Sequence, residues 1–218
     1  MTKLPPLFSL ATFARCSKVT VAALGGGKYT INGNNTAINA ALHGKNWTEL
    51  MAAQTPGSYP SAAALMNALH AVVTPELIAI NAFVTMSLLR IDCQARTVTW
   101  VNAGHTPTLL AQGQQVTELI GDNLPIGVLE HEVYAEHRVQ LQAGDTLLLY
   151  SDGLSESANP SRQYYGDQRI QQLLSQGQQA GHSPELMLAT LRSDIEAFTE
   201  QSPAEDDRTA VFIQLQAA

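Results

Sequence analysis

The chain has 218 residues, 45% of them apolar, two cysteines and a formal net charge of −7. That is enough chain for one sizeable core, and the acidic balance, with no Lys/Arg cluster, argues against a nucleic-acid footprint. Cys16 and Cys93 are too few for a disulfide framework. The simplest setting is reduced and cytoplasmic, and no apolar run approaches the ~18 residues of a membrane span.

Residues 1–16 carry no clear period. Lys18 to Leu24 reads as a strand, followed by Gly25-Gly26-Gly27, which lacks the ending of a phosphate-binding loop and is read as a turn. After an Asn/Gly turn near Asn35 and Thr36, Ala37 to Ala53 has rough helical spacing. Gln54 to Pro60 is a loop by its Pro and Gly content. Ser61 to Val73 is a clearer helix, with Leu65, Leu69 and Val72 on one face and His70 expected on its surface.

The middle of the chain is rich in strand signals. Phe83 to Ile91 alternates, a turn at Asp92 to Arg96 follows, and Thr97 to Val101 completes a hairpin. The sharp break Asn102-Ala103-Gly104-His105-Thr106-Pro107 precedes short strands at 108–110 and 116–120. Leu124-Pro125-Ile126-Gly127 is another turn, and a strand is expected over 133–141.

Leu147, Leu148, Leu149 and Tyr150 then form a short apolar run suited to a buried strand over 146–150, which Ser151-Asp152-Gly153 ends abruptly. An Asp at the end of a buried strand is a well-held carboxylate, an oxygen ligand of the kind hard cations prefer. A polar loop covers 154–165, and a short helix covers 166–174. Ser183-Pro184-Glu185 opens a helix with Met187, Leu191, Ile195 and Phe198 in one stripe. Asp206-Asp207-Arg208 precedes a last strand over 209–215. Strand, helices, strands, helices, strand is the order of an α+β layered domain, expected as one unit over 1–218.

Five of these pieces stand in a telling order: Phe83-Val84-Thr85, Val101 to Pro107, Leu124 to Gly127, Gly144-Asp145 with Tyr150 to Gly153, and Asp206 to Thr209. In this the chain resembles the metal-dependent PPM-type protein phosphatases of the bacterial SpoIIE-like branch, over about residues 60–216. The resemblance implies a two-layer antiparallel β-sandwich flanked by helices (α/β/β/α) and a binuclear Mn²⁺ or Mg²⁺ centre. It also implies a cytoplasmic signalling role: removing phosphate from a phosphoserine-containing regulatory protein, such as an anti-sigma-factor antagonist, without nucleic acid or membrane; a homodimer is compatible with it. By the same resemblance Asp152 and Asp206 match metal ligands, with no catalytic residue beyond the ligands; His105, which could serve as ligand or acid, is read from the usual roles of histidine as satisfied within its turn.

Residues 1–60 depart from the family pattern. The family carries an early acidic ligand where this chain has Gly25-Gly26-Gly27-Lys28, and a bridging Asp where it has Ala53 or Gln54. Glu49 is the first acid of the chain and Glu76 the next. Without the bridging anion two close cations repel each other. One metal at most is therefore expected, at Asp152 and Asp206 with Glu49 as a further candidate, and turnover is expected to be weak or absent. The alternative is a pseudophosphatase that binds a signalling partner without hydrolysis.

Overall fold

The computed structural model describes residues 2–3, 8–14, 19–24, 61–200, 202 and 206–216, the first three stretches as backbone. The expectations at Gly25 to Gly27, Asn35, Thr36, Glu49, Ala53 and Gln54 lie outside the described residues. The described residues form two compact units.

The first unit contains β1 (Thr2–Lys3), β2 (Phe8–Ala14), α1 (Ala62–Ala79), β4 (Ala82–Phe83), β5 (Met86–Asp92), β6 (Thr97–Ala103) and β9 (His137–Gln140). Its main sheet has the order β2-β5-β6-β9. It is antiparallel except where β2 lies parallel to β5. Ser61 caps α1, its side chain accepting from Ala64 N. The apolar stripe Leu65, Met66 and Leu69 packs with Met86, Leu88, Val101 and Ala103 as one core.

The spacing predicted α1 to end at Val73, yet it runs six residues further, through Pro75. An internal proline costs a helix ~3 kcal/mol. Leu77, eleven residues beyond Met66 and so on the same side of the helix, is buried and offsets about 2 kcal/mol of that. By length and composition α1 could cross a membrane, which the search for an apolar run did not register. Here it is a core helix. His70 is buried rather than on the helix surface: its ring bonds Glu130 O at 3.1 Å and Thr74 Oγ1 at 2.8 Å.

Two strand expectations change in this unit. The one over 83–91 splits, because Val84 leaves the sheet and exchanges two 2.9 Å hydrogen bonds with Ile126. The one over 133–141 shortens to His137–Gln140. Residues before it cover α1 instead: Tyr134 N donates to Asn67 Oδ1, Asn67 Nδ2 donates to Tyr134 O, and Tyr134 Oη donates to Leu124 O. Cys93, in the turn after β5, is disulfide-bonded, whereas the cysteine count predicted reduced thiols.

The second unit contains β3 (Val19–Leu24), β7 (Thr108–Gln112), β8 (Gln115–Leu119), β10 (Thr146–Tyr150), β11 (Ala210–Leu215) and the helices α2 (Asp152–Ser155), α3 (Asp167–Gln179) and α4 (Pro184–Phe198). Its sheet order is β3-β11-β10-β7-β8, antiparallel throughout. All five residues of β10 are buried, so its apolar run reads as a strand covered on both faces. Leu148, Tyr150, Phe212 and Leu109 share a core with Ile170 and Leu174 of α3 and Met187, Leu191 and Ile195 of α4. Ser183 caps α4 as predicted, accepting from Leu186 N. Tyr150 Oη donates to Asp167, which ties α3 to the sheet, and Tyr165 Oη donates to Asp194, which ties α4 to the segment before α3.

Candidate metal centre and the knots around it

β10 and β11 are antiparallel neighbours, with Tyr150 opposite Ala210. The residue after the end of one strand therefore stands beside the residue before the start of the other. Asp152 opens the four-residue α2, two residues after β10 rather than at its end. Asp206 precedes β11 by four residues.

Local hydrogen bonds fix this junction. Ser151 N donates to Thr209 O at 3.0 Å, Thr209 N donates to Ser151 Oγ at 3.0 Å, and Ser151 Oγ donates to Asp207 O at 2.9 Å. Thr106 Oγ1 donates to Tyr150 O one residue earlier. Gly153 is required here because a Cβ on it would lie 2.5 Å from Asp207 O and 3.3 Å from Asp206 C. Only a residue without a side chain lets the 206–207 backbone come this close.

The two carboxylates are held locally. Asp152 Oδ1 accepts from Gly153 N at 3.1 Å, and Asp206 Oδ1 accepts from Asp207 N at 2.7 Å. Asp152 is half-buried, while Asp206 and Asp207 are exposed. This oxygen-only donor pair suits a hard, hydrated cation such as Mg²⁺ or Mn²⁺. Among the described residues no group of three or more His, Cys, Asp or Glu gathers as a metal site. Two carboxylates alone do not complete a two-ion centre.

Two features escaped the sequence reading. Ser151 is the junction's hub, signalled only by a serine placed immediately before Asp-Gly. Arg208 Nε donates to Ser157 Oγ at 2.7 Å, and Ser157 Oγ donates to Gly153 O at 2.7 Å; no sequence pattern announced that link.

His105 belongs to a separate, structural knot in the first unit. Asn102 Oδ1 accepts from His105 N at 2.8 Å, and Asn102 Nδ2 donates to His105 O at 3.0 Å. The ring meets Thr85 Oγ1 at 3.4 Å. Gly104 has φ +67°, and a Cβ there would lie 2.5 Å from Pro125 Cγ. Phe83-Val84-Thr85, Asn102 to His105 and Leu124 to Gly127 thus close on one another as scaffold. Gly144-Asp145 is scaffold too: Asp145 Oδ2 accepts from Gln142 N and Gln112 Nε2 at 2.7 and 2.6 Å.

The chain is 29% identical over 136 residues to Stage II sporulation protein E of Priestia megaterium, covering 62% of this chain and 22% of that protein. It spans less than a quarter of the length of the curated relatives it matches. Its fold is similar to that of the SiaA-PP2C domain of Pseudomonas aeruginosa, with a TM-score of 0.68 at 18% identity over 91% of this chain and 76% of that one. It is also similar to the Mn-presoaked phosphatase domain of the cell fate determinant SpoIIE from Bacillus subtilis, with a TM-score of 0.54 at 19% identity over 93% and 89% of the two chains. The α+β fold of helices and largely antiparallel sheets is thus the PP2C phosphatase fold that the resemblance implied. The family model of Stage II sporulation protein E (SpoIIE) matches residues 36–216, and the chain belongs to that family.

Proposed function

We propose that this chain is a SpoIIE-like protein serine/threonine phosphatase domain of a bacterial signalling pathway, with weak or absent turnover. Its substrate is a phosphoserine on a cytoplasmic regulatory protein, such as an anti-sigma-factor antagonist. The observation that supports the reading is the Ser151 junction, where Ser151 bonds Asp207 O and Thr209 and Gly153 lies against the 206–207 backbone. We assign the carboxylates of Asp152 and Asp206 as the ligands of one Mn²⁺ or Mg²⁺. Such a cation supplies the positive charge that a phosphoryl group and an attacking water both require. Asp152 and Asp206 would hold that charge, Gly153 leaves room for the 206–207 backbone, and Ser151 fixes the strand end.

A pseudophosphatase is the second reading. It is favoured by the sequence before Glu49, which contains no Asp or Glu. Loss of an anion that holds a second cation should cost several kcal/mol of transition-state stabilisation, or roughly a thousandfold in rate.

The deciding assay uses p-nitrophenyl phosphate and a phosphoserine peptide in excess Mn²⁺, comparing the native chain with Asp152→Asn and Asp206→Asn. Slow turnover abolished by either substitution supports the phosphatase reading. Equal background in all three supports the pseudophosphatase. Fast turnover by the native chain overturns the weak-activity assignment.

A further inference from the structure

The polar loop expected over 154–165 opens instead with the last two residues of α2. A helix this short ends in carbonyls that have no partner within it. Asp152 O accepts from Glu156 N at 2.7 Å, as in a continuing helix, but Ser157 N turns aside to Leu154 O at 3.3 Å. The carbonyl of Gly153 is met by the side chain of that same residue: Ser157 Oγ donates to Gly153 O at 2.7 Å. Gly153 and Ser157 are both buried, and a buried carbonyl needs such a partner.

A hydroxyl can rotate, and a second partner fixes this one. Arg208 Nε donates to Ser157 Oγ at 2.7 Å. A guanidinium only donates, so it takes a lone pair of Oγ and leaves the hydroxyl proton for Gly153 O. Arg208 stands in the segment that Ser151 already grips, between Asp207, whose carbonyl accepts from Ser151 Oγ, and Thr209, whose N–H donates to it. Gly153 itself lies against that segment, since a Cβ on it would come within 2.5 Å of Asp207 O. The backbone of α2 is thus tied to 206–209 from both sides, by Ser151 before Asp152 and by Ser157 after Ser155.

We infer that Arg208 is a positioning residue for the metal ligands Asp152 and Asp206. Acting through Ser157, it sets the lie of α2, and with it the backbone of Asp152, against the segment that begins at Asp206. The inference rests on the assignment of those two carboxylates as ligands of Mn²⁺ or Mg²⁺. Two ligands from separate segments bind one ion best when their backbones are held in advance at one spacing. Groups that hold ligands without touching the ion change its affinity by about 10–100-fold. Arginine suits the task because it stays charged at every working pH and its flat, rigid head donates in fixed directions. Its link is separate from that of Ser151, which ties the strand end, because Ser157 lies beyond α2 and acts on the carbonyl of the residue next to Asp152.

The test uses the full chain and Mn²⁺ itself, with the relaxation rate of water protons reporting bound ion, a readout that needs no turnover. Arg208→Met should weaken Mn²⁺ binding at least about tenfold, and so should Ser157→Ala. The double variant should be no weaker than either single one, because both substitutions remove one link. Arg208→Lys should recover part of the affinity, its ammonium still able to donate to Ser157 Oγ. Each variant is titrated well below its melting temperature in EDTA, so that every chain compared is folded. Affinity unchanged in Arg208→Met and Ser157→Ala overturns the inference and leaves the metal assignment standing. Additive losses in the double variant, or a loss in Arg208→Met that Arg208→Lys does not reduce, overturn it as well, since the two side chains then do not act as one link. No binding by the native chain, or native binding that survives Asp152→Asn, overturns the metal assignment and the inference with it.

Discussion

Two corners of the molecule are built from the same kind of sequence, a short polar turn pinned by a glycine, and they do different work. In the first unit Asn102 bonds both backbone groups of His105, and Gly104 lies against Pro125. In the second, Ser151 bonds Thr209 and the carbonyl of Asp207, and Gly153 lies against the 206–207 backbone. The first corner consumes its polar atoms internally and so fixes a fold. The second does its fixing with a serine and a glycine, while the carboxylates of Asp152 and Asp206 accept only from the backbone N–H of the next residue among the bonds described above. A motif therefore separates into scaffold or site by what its polar atoms are bonded to, which its spelling does not disclose.

The comparison breaks first at the glycines. Gly153→Ala should destabilise by about 3 kcal/mol, because the added carbon meets backbone rather than a flexible side-chain end. It should also abolish the heat of Mn²⁺ titration, since the 206–209 strand entry must move. Gly104→Ala forces a β-carbon into a left-handed backbone and against Pro125, with a comparable loss of stability, yet the Mn²⁺ heat should remain. Equal Mn²⁺ binding in both variants would show that the 206–207 contact does not position the carboxylates.

Asn102→Ala comes next. It removes two hydrogen bonds and leaves the His105 backbone groups partly buried without these partners, for a loss of about 2 kcal/mol in a urea melt. Mn²⁺ binding should be unchanged. Asp152→Asn should do the reverse, with little change in the melt and Mn²⁺ binding lost.

Much of this contrast was legible before any coordinates. β10 was read with its observed limits, because an unbroken run of three leucines and a tyrosine leaves no helical period to consider. The Ser183 cap was legible because its signal is local. The candidate ligands were legible only as members of an ordered set of motifs, since an Asp-Gly after a strand is by itself an ordinary turn. What stayed hidden depends on long-range contacts. The apolar spacing suggested a helix end at Val73, and the burial of Leu77 accompanies its continuation through Pro75. Alternation over 133–136 suggested a strand, but Tyr134 and Asn67 use those backbone groups across 67 residues of sequence. His70 looked like a surface residue because the chain that covers it, near Glu130, is 60 residues away.

Alkaline pH sharpens the comparison of the two units, because each buries tyrosine. Burial is the main cause that pushes the Tyr134, Tyr150 and Tyr165 hydroxyls above the ordinary phenol range, and the neighbouring carboxylates Glu132, Asp167 and Asp194 respectively add to it. A raised folded-state value means that the folded chain holds its proton where the unfolded chain has released it. The stabilisation is thus fully present below the unfolded value of about 10 and declines as pH rises above it. Melting temperature should be flat from pH 7 to about 9.5 and fall beyond, with absorbance at 295 nm rising with unfolding. Tyr150→Phe removes the hydrogen bond to Asp167 and should flatten part of that fall. A curve identical to the native one would assign the alkaline loss to other groups.

Metal removal should give the smallest effect. Both units have apolar cores of their own, and the Ser151 junction joins strand ends by backbone and hydroxyl groups that need no cation. A chain of this size does not need a metal staple. EDTA should therefore leave the melt cooperative and unmoved. Added Mn²⁺ should raise stability only by mass action: for a site with a dissociation constant of about 1 mM, 10 mM cation contributes about 1.4 kcal/mol, or about 4 °C in a domain of this length. Asp206→Asn should remove that increment and leave the EDTA melt as it was. Cooperative unfolding seen only with Mn²⁺ would mean that the cation, and not Ser151, holds the junction together. A shift several times larger than 4 °C would mean that carboxylates beyond Asp152 and Asp206 share the ion, and Glu49→Gln is then the variant to melt, since Glu49 is the first acid of the chain.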